Sequence, residues 1–310
     1  MKQVFFINPA AGKGKGPEIL IPLIEKYFEG KDDEVKIIIT EAVGDAKEKA
    51  RVEAQTGEEA NFYACGGDGT FFEVLNGAYG YPNVNLGVIP CGSGNDFLKF
   101  FSSRDPFIDV AAQAEGKAVP MDVIKVDDTY CINICSLGMD AVVADGMSRF
   151  KRLPLVSGGM AYKLSVVKTL LGKIGQRAKI TVDGKELGVF DCLFAVCANG
   201  PVYGGGYISA PNANPMDGRL EWLIVEKISK LKILKFIKLY EAGKHEDLPI
   251  CHHGHCNVME IEAFSDEPIN LDGEIIHKNK IRFELVRKGI KFILPKGIYE
   301  AFEKKEFAKA

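Results

Sequence analysis

The sequence predicts an α/β + β chain: a three-layer α/β domain over residues 1–120, then a mainly antiparallel β-sandwich domain over 121–294, with 295–310 as a terminal segment packing back on the first domain. Three observations predict it. Strand-like and helix-like patterns alternate through the first third, glycine-rich stretches follow the strands there, and beyond residue 120 strand-like runs separated by Asp-Asp and Asp-Gly turns take over.

In order, Val4–Ile7 reads as a strand, followed by the glycine-rich Ala11–Gly16 and a helix ending near Gly30. Val35–Thr40 is a second strand and Asp45–Gln55 a second helix, closed by Gly57. Asn61–Cys65 and Leu86–Ile89 are further strands, each followed by a turn and a helix, Phe71–Asn76 and Asn95–Phe101. Such alternation indicates a parallel sheet covered on both faces, with ligands bound at the carboxyl ends of its strands. Past residue 120, Met121–Val126 and Thr129–Cys135 flank Asp127-Asp128, and Lys179–Val182 and Glu186–Ala198 flank Asp183-Gly184-Lys185, two hairpin signals. Strand-like runs follow at Leu220–Val225, Val258–Ala263, Lys280–Val286 and Lys291–Leu294, interrupted by helical stretches at Gly159–Leu171 and Ser229–Glu241.

Composition narrows the function classes. The chain has 310 residues, 46% hydrophobic and 26% charged, which excludes a disordered chain and a disulfide miniprotein. A net charge of -3 argues against a generally basic nucleic-acid binder. No apolar run approaches the ~20 residues needed to cross a bilayer, and the apolar N-terminus is too brief for a signal peptide. A cytosolic protein is expected, its eight cysteines reduced and, at Cys65, Cys91, Cys131, Cys192 and Cys197, acting as small hydrophobes.

The chemistry concentrates in three loops. Cys65-Gly66-Gly67-Asp68-Gly69-Thr70 joins a strand to a helix, and its glycines let a bulky anion approach backbone N–H groups. Asp68 would repel a phosphate, so its useful roles are to hold magnesium, directly or through water, or to accept a proton. The alternative is a tight turn in which Asp-Gly supplies only backbone geometry. Asn8–Gly16 and Pro90–Phe97 follow neighbouring strands and Thr40 ends another, so parallel strands would bring all four segments to one polar, glycine-lined edge suited to a nucleotide. Neither a Walker P-loop nor a dinucleotide fingerprint occurs.

Phe6-Ile7-Asn8-Pro9, Gly66-Gly67-Asp68-Gly69-Thr70 and Pro90-Cys91-Gly92-Ser93-Gly94-Asn95-Asp96-Phe97, in this order and spacing, resemble the diacylglycerol kinase catalytic family, whose relatives include sphingosine and ceramide kinases. The resemblance extends through Asn133–Asp140, Gly204-Gly205-Gly206, Asp217-Gly218 and Asp272-Gly273-Glu274. It implies an NAD-kinase- and phosphofructokinase-like nucleotide-binding first domain, ATP bound between the two domains, magnesium, and transfer of the γ-phosphoryl group to a lipid hydroxyl. Diacylglycerol giving phosphatidic acid is the leading substrate, met at a membrane surface by a peripherally associating enzyme, and a homodimer is common among such relatives. Asn8, Thr40, Gly66, Gly67, Asp68, Gly69, Thr70, Phe71, Phe72 and Ser93 match nucleotide-contacting positions, Ser93 standing where the family usually has Thr. Asp68 matches the residue linked to the catalytic magnesium and Glu274 the proposed general base. Asn214, Asp217 and Arg219 match a second metal site, the first and third through backbone carbonyls. The rivals are an NAD kinase-like small-molecule kinase and a catalytically silent lipid-binding regulatory protein.

Two clusters stand apart. Cys251-His252-His253-Gly254-His255-Cys256 offers five potential metal ligands in six residues, but is too compact for a usual zinc site, so a surface connection is expected. In Ile228–Tyr240, Lys232, Lys235 and Lys238 share a helical face and the apolar residues cover much of the rest, which favours a core-packed helix with a solvated lysine edge over a membrane contact.

Overall fold

In a computed structural model, which describes residues 1–91, 94–101, 103–150, 158–172 and 174–307, the alternating first third forms a parallel sheet. Its elements run β1 (Lys2–Ile7), α1 (Gly16–Phe28), β2 (Glu34–Ile39), α2 (Asp45–Ala54), β3 (Ala60–Gly66), α3 (Asp68–Ala78), β4 (Val84–Pro90), α4 (Asp105–Ile108), α5 (Val110–Ala114) and β5 (Lys117–Val126). The strands lie in the order β2-β1-β3-β4, all parallel. Two-sided burial explains the near-continuous apolar runs of β1 and β3. Phe5, Ile7, Tyr63 and Cys65 face Leu20, Ile24 and Phe28 of α1, spaced four apart. Phe6 and Phe62 meet edge to face, ring centroids 5.2 Å apart. Helices α2 and α3 approach closely at Gly77, where a Cβ would come within 2.2 Å of the Lys47 carbonyl.

The remaining elements are β6 (Thr129–Cys131), β7 (Ile134–Gly138), α6 (Met139–Phe150), α7 (Gly158–Leu171), β8 (Gln176–Val182), β9 (Lys185–Ala198), β10 (Val202–Tyr203), β11 (Tyr207–Ile208), β12 (Leu220–Glu226), α8 (Lys230–Glu241), β13 (Cys251–Cys256), β14 (Val258–Leu271), β15 (Glu274–Leu294) and α9 (Lys296–Phe307). Two compact units result: Met1–Asp122 with Lys288–Ala310, and Val123–Arg287. The sequence reading carried its second domain on to residue 294. Lys288–Leu294 instead fall in the first unit, where Phe292 pairs in parallel with Leu86 of β4 and meets Phe71 edge to face. Helix α9 packs against α4 and α5 in that same unit.

The second unit is a mainly antiparallel β-sandwich. Two long strands shape it: the first halves of β9 and β14 both pair with β8, and their second halves both pair with β7. Strands that exchange partners midway must bend, and β14 does so at an irregularity between Glu262 and Glu267. The two expected Asp-containing hairpins form with Asp127 and Asp183 at positive φ, joining β5–β6 and β8–β9, and a third, with Asp272 at positive φ, joins β14–β15.

Several local expectations change. Asn95–Phe101 contains a 3-10 helix, Asp96–Phe100, rather than an α-helix, with Asn95 left-handed just before it. The separate runs Lys280–Val286 and Lys291–Leu294 belong to one strand, β15. Helix α8 buries Ile233, Phe236 and Tyr240, as expected of a core-packed helix, but Leu231 and Leu234 stand with the exposed lysines rather than with the core.

Candidate functional site

Because β1, β3 and β4 run parallel, the segments after them meet at the carboxyl edge of the sheet. Asn8 knits two of them: its amide N–H donates to the Cys65 carbonyl (3.0 Å), its side-chain Nδ2 to Thr70 Oγ1 (3.2 Å), and its Oδ1 accepts from the Ala10 amide (2.9 Å). Thr40 is buried and donates its amide to the Ile7 carbonyl (3.0 Å). The Gly66 carbonyl accepts from the Cys91 amide and from Asn95 Nδ2, both at 3.1 Å.

Glycine is required at the turn. A Cβ on Gly66 would fall 2.3 Å from Thr70 Oγ1, while one on Gly67, the residue capping α3, would meet nothing within 4 Å. The first turn of α3 leaves backbone N–H groups without intrahelical acceptors. An anion with several oxygens fits this glycine-walled helix terminus.

Asp68 is committed within this edge. Its Oδ2 accepts the Asn95 amide (2.8 Å) and its Oδ1 the Asp96 amide (2.9 Å), which tie the β4 loop to the glycine turn. Burial raises its pKa, opposed by the amide bonds and reinforced by the Asp96 charge. A carboxylate oxygen with one amide donor keeps a further lone pair, so it can still hold a metal-bound water.

Asn8, Thr40 and Gly66–Phe72 thus come together on one edge. Phe71 is buried against Phe292, so its ring belongs to the core and cannot contact a ligand. Phe72 is part-buried, and its carbonyl accepts Asn76 Nδ2 (2.8 Å). Ser93 lies outside the described residues.

Glu274 is exposed and opens β15, opposite Leu271 across the two-residue turn Asp272-Gly273. Sequence reasoning missed what Asp272 does there. Its two oxygens accept the amides of Ile132 (2.6 Å), Asn133 (3.2 and 3.3 Å) and Ile134 (2.8 Å), fastening the hairpin to the start of β7. Asp272→Ala strands three amides and is expected to cost about 2–4 kcal/mol, measured as a fall in ΔG of urea unfolding. An unchanged midpoint would mean that water replaces the carboxylate.

Asn214, Asp217 and Arg219 share one tight turn. The Asn214 carbonyl accepts the Asp217 amide (3.3 Å), Asp217 Oδ1 accepts the Arg219 amide (3.1 Å), and the Arg219 guanidinium lies 3.6 Å from Oδ2. Nearby, burial and the charges of Glu246 and Asp217 push the Glu221 carboxyl up to about 7. Among the described residues no group of three or more His, Cys, Asp or Glu side chains is placed to hold a metal ion. Cys251–Cys256 is a strand rather than a surface connection, paired with β12, and its side chains alternate between the two faces.

Two further features lie in the second unit. Asp140 is a buried acid, its pKa raised by burial, whose Oδ2 accepts the Ser136 hydroxyl (2.5 Å). A cavity of about 460 Å3 opens at the β14 irregularity, lined by Met139, Val142, Ile174, Phe264, Pro268 and His277 among others.

Comparison with known proteins adds to this geometry. Residues 2–126 match the family model of the diacylglycerol kinase catalytic domain, and residues 133–294 that of the YegS C-terminal NAD kinase beta sandwich-like domain. A "Probable lipid kinase YegS-like" of Shewanella frigidimarina is 30% identical over 236 residues, 74% of this chain and 75% of the relative. The diacylglycerol kinase of Bacillus subtilis is 29% identical over 293 residues, covering 93% and 95%. A crystal structure of a diacylglycerol kinase from Bacillus anthracis superposes with a TM-score of 0.67 at 20% identity, covering 96% of this chain and 98% of that one, a likeness of fold.

Proposed function

The chain belongs to the diacylglycerol kinase family and is an enzyme that phosphorylates a lipid, and from that premise we propose that it transfers the γ-phosphoryl group of magnesium-bound ATP to the hydroxyl of diacylglycerol, forming phosphatidic acid. The observation that carries the nucleotide half is the glycine-walled N-terminus of α3. Its free amides receive phosphate oxygens, and the bonds from Asp68 hold the β4 loop beside them. Asn8, Thr40 and Thr70 complete the polar lining. Magnesium, when bound, offsets phosphate charge, with Asp68 holding its water shell. Glu274 is the general base for the acceptor hydroxyl. Asp272 is not, because its oxygens are occupied by amides.

A panel of diacylglycerol, monoacylglycerol, ceramide, sphingosine and NAD, each with labelled ATP and with or without magnesium, tests the assignment. Label is expected in diacylglycerol, with magnesium only. Label in ceramide or sphingosine but not in diacylglycerol would replace the acceptor.

The turn holding Asn214, Asp217 and Arg219 is assigned a second, structural magnesium, with the carbonyls of Asn214 and Arg219 and the Asp217 carboxylate as donors. Asp217→Ala also removes the bond to the Arg219 amide, so the variant should melt a few degrees lower, about 1 kcal/mol. Added magnesium should raise the melting temperature of the parent and not of the variant. Equal stabilisation of both would place the cation elsewhere.

A further inference from the structure

Helices α7 and α8 present outward faces that carry exposed apolar side chains. The inward face of α7 is settled by Ser165, whose hydroxyl donates to the Val143 carbonyl (2.7 Å), and by Gly146 of α6, where a Cβ would meet Ser165 Oγ at 2.2 Å. Opposite Ser165 and buried Thr169, Met160, Leu164, Val167 and Leu171 follow one another at helical spacing, and all are exposed, Leu171 by 79%. Helix α8 repeats the arrangement. Ile233, Phe236 and Tyr240 enter the core, while Leu231 (88% exposed) and Leu234 (65%) share the outer face with Lys235 and Lys238. The helices adjoin where the Lys230 ammonium donates to the carbonyls of Leu171 (3.1 Å) and Gly172 (2.9 Å), and Leu170 packs on the core that α8 covers.

Single exposed leucines need no explanation, but a row of them beside lysines does. Across the two helices the sequence has six lysines, Lys163, Lys168, Lys230, Lys232, Lys235 and Lys238, against one carboxylate, Glu241, in a chain of net charge -3. No described helix is long and apolar enough to cross a membrane. Leucines flanked by lysines fit the boundary between acyl chains and anionic headgroups, where the side chains enter the hydrocarbon and the ammonium groups meet phosphates. We propose that the outer face of α7 and α8 docks the enzyme on an anionic bilayer. This deepens the reading of the protein as a kinase of a bilayer lipid, and rests on it.

Flotation with vesicles of phosphatidylcholine, with and without phosphatidylglycerol, tests the face. The parent should float with anionic vesicles, and Leu231→Glu with Leu234→Glu should lower partition at least ~10-fold. Lys235→Glu with Lys238→Glu should weaken binding to anionic vesicles alone, by a factor that shrinks with added salt. Each pair should lose turnover of long-chain diacylglycerol held in vesicles and keep parental turnover of a short-chain diacylglycerol dispersed in water, which also verifies folding. Unchanged partition of the leucine pair, or a parent that ignores vesicles, overturns the proposal. So does a parent dimer that the leucine substitutions split without changing partition, because the face would then bind a second copy of the chain. Patch-dependent partition without turnover of diacylglycerol in either form would uphold the docking face and remove diacylglycerol as the acceptor.

Discussion

Asp68→Asn is expected to lower kcat/KM for lipid phosphorylation by about 10²–10³-fold while leaving the melting temperature near that of the parent. The two halves have separate causes. Ionised Asp68 is unfavourable to the fold, because burial raises its pKa above the unfolded value of 3.8. Linkage then runs opposite to the usual carboxylate. Its favourable contribution is present below the unfolded pKa and is lost as pH rises through the folded one, so at neutral pH the charge is a cost. Asn removes that cost but can accept only one of the amides of Asn95 and Asp96, because its NH2 group opposes the other. The gain and the loss act in opposite directions, so the net change in stability is expected to be small. Activity has no such compensation, since the lost negative charge is the group proposed to order the magnesium water shell. Added magnesium should not rescue the variant. Near-parental turnover at saturating magnesium would remove Asp68 from metal placement and leave it as the tie between two loops.

What the sequence disclosed and what it hid divide by distance along the chain. Asp127 and Asp183 announce hairpins because the preference of an Asp-containing turn for positive φ is local. The glycine turn at residues 66–69 is legible for the same reason, as are the parallel strands that bring Asn8, Thr40 and Thr70 to one edge. The partners of the carboxylates are not local. The amides that Asp68 accepts lie 27 and 28 residues away, and those of Asp272 lie 138 to 140 residues away. No window of sequence contains both ends, so Asp68, read as a magnesium or proton site or as part of a tight turn, is also a tie between two loops, and the anchoring by Asp272 is not disclosed. Helix α8 shows a subtler limit. Its period was readable, but which leucines face the core depends on where the neighbouring strands lie, and the wheel alone placed Leu231 and Leu234 with the wrong set. The Cys-His run failed as a connection because composition dominated the reading, although its alternation also suits the strand that pairs residue by residue with β12.

Glu274→Gln is expected to lower kcat for lipid phosphorylation by about 10²–10⁴-fold with ATP affinity near parental. The hairpin that carries Glu274 is held at its tip. Asp272 binds the amides of Ile132–Ile134, its own amide donates to the Ile134 carbonyl (3.1 Å), and Asn270 Oδ1 accepts the Gly273 amide (2.7 Å). Asp272 thus fixes the backbone from which Glu274 projects, and a proposed general base needs such a fixed backbone. In the proposed reaction Glu274 takes the proton of the acceptor hydroxyl as it attacks, from a turn that Asp272 holds in place. Gln keeps the size and loses the basic oxygen, so the deficit should fall on kcat and not on KM for ATP. Asp272→Asn provides the contrast: it should lower stability first, and lower activity in proportion to the loosened hairpin. Measuring ATP affinity, lipid turnover and unfolding on the same preparations separates the roles. A Glu274→Gln enzyme that turns over lipid normally would transfer the base to a residue outside this hairpin, and one that fails to bind ATP would make Glu274 a nucleotide contact.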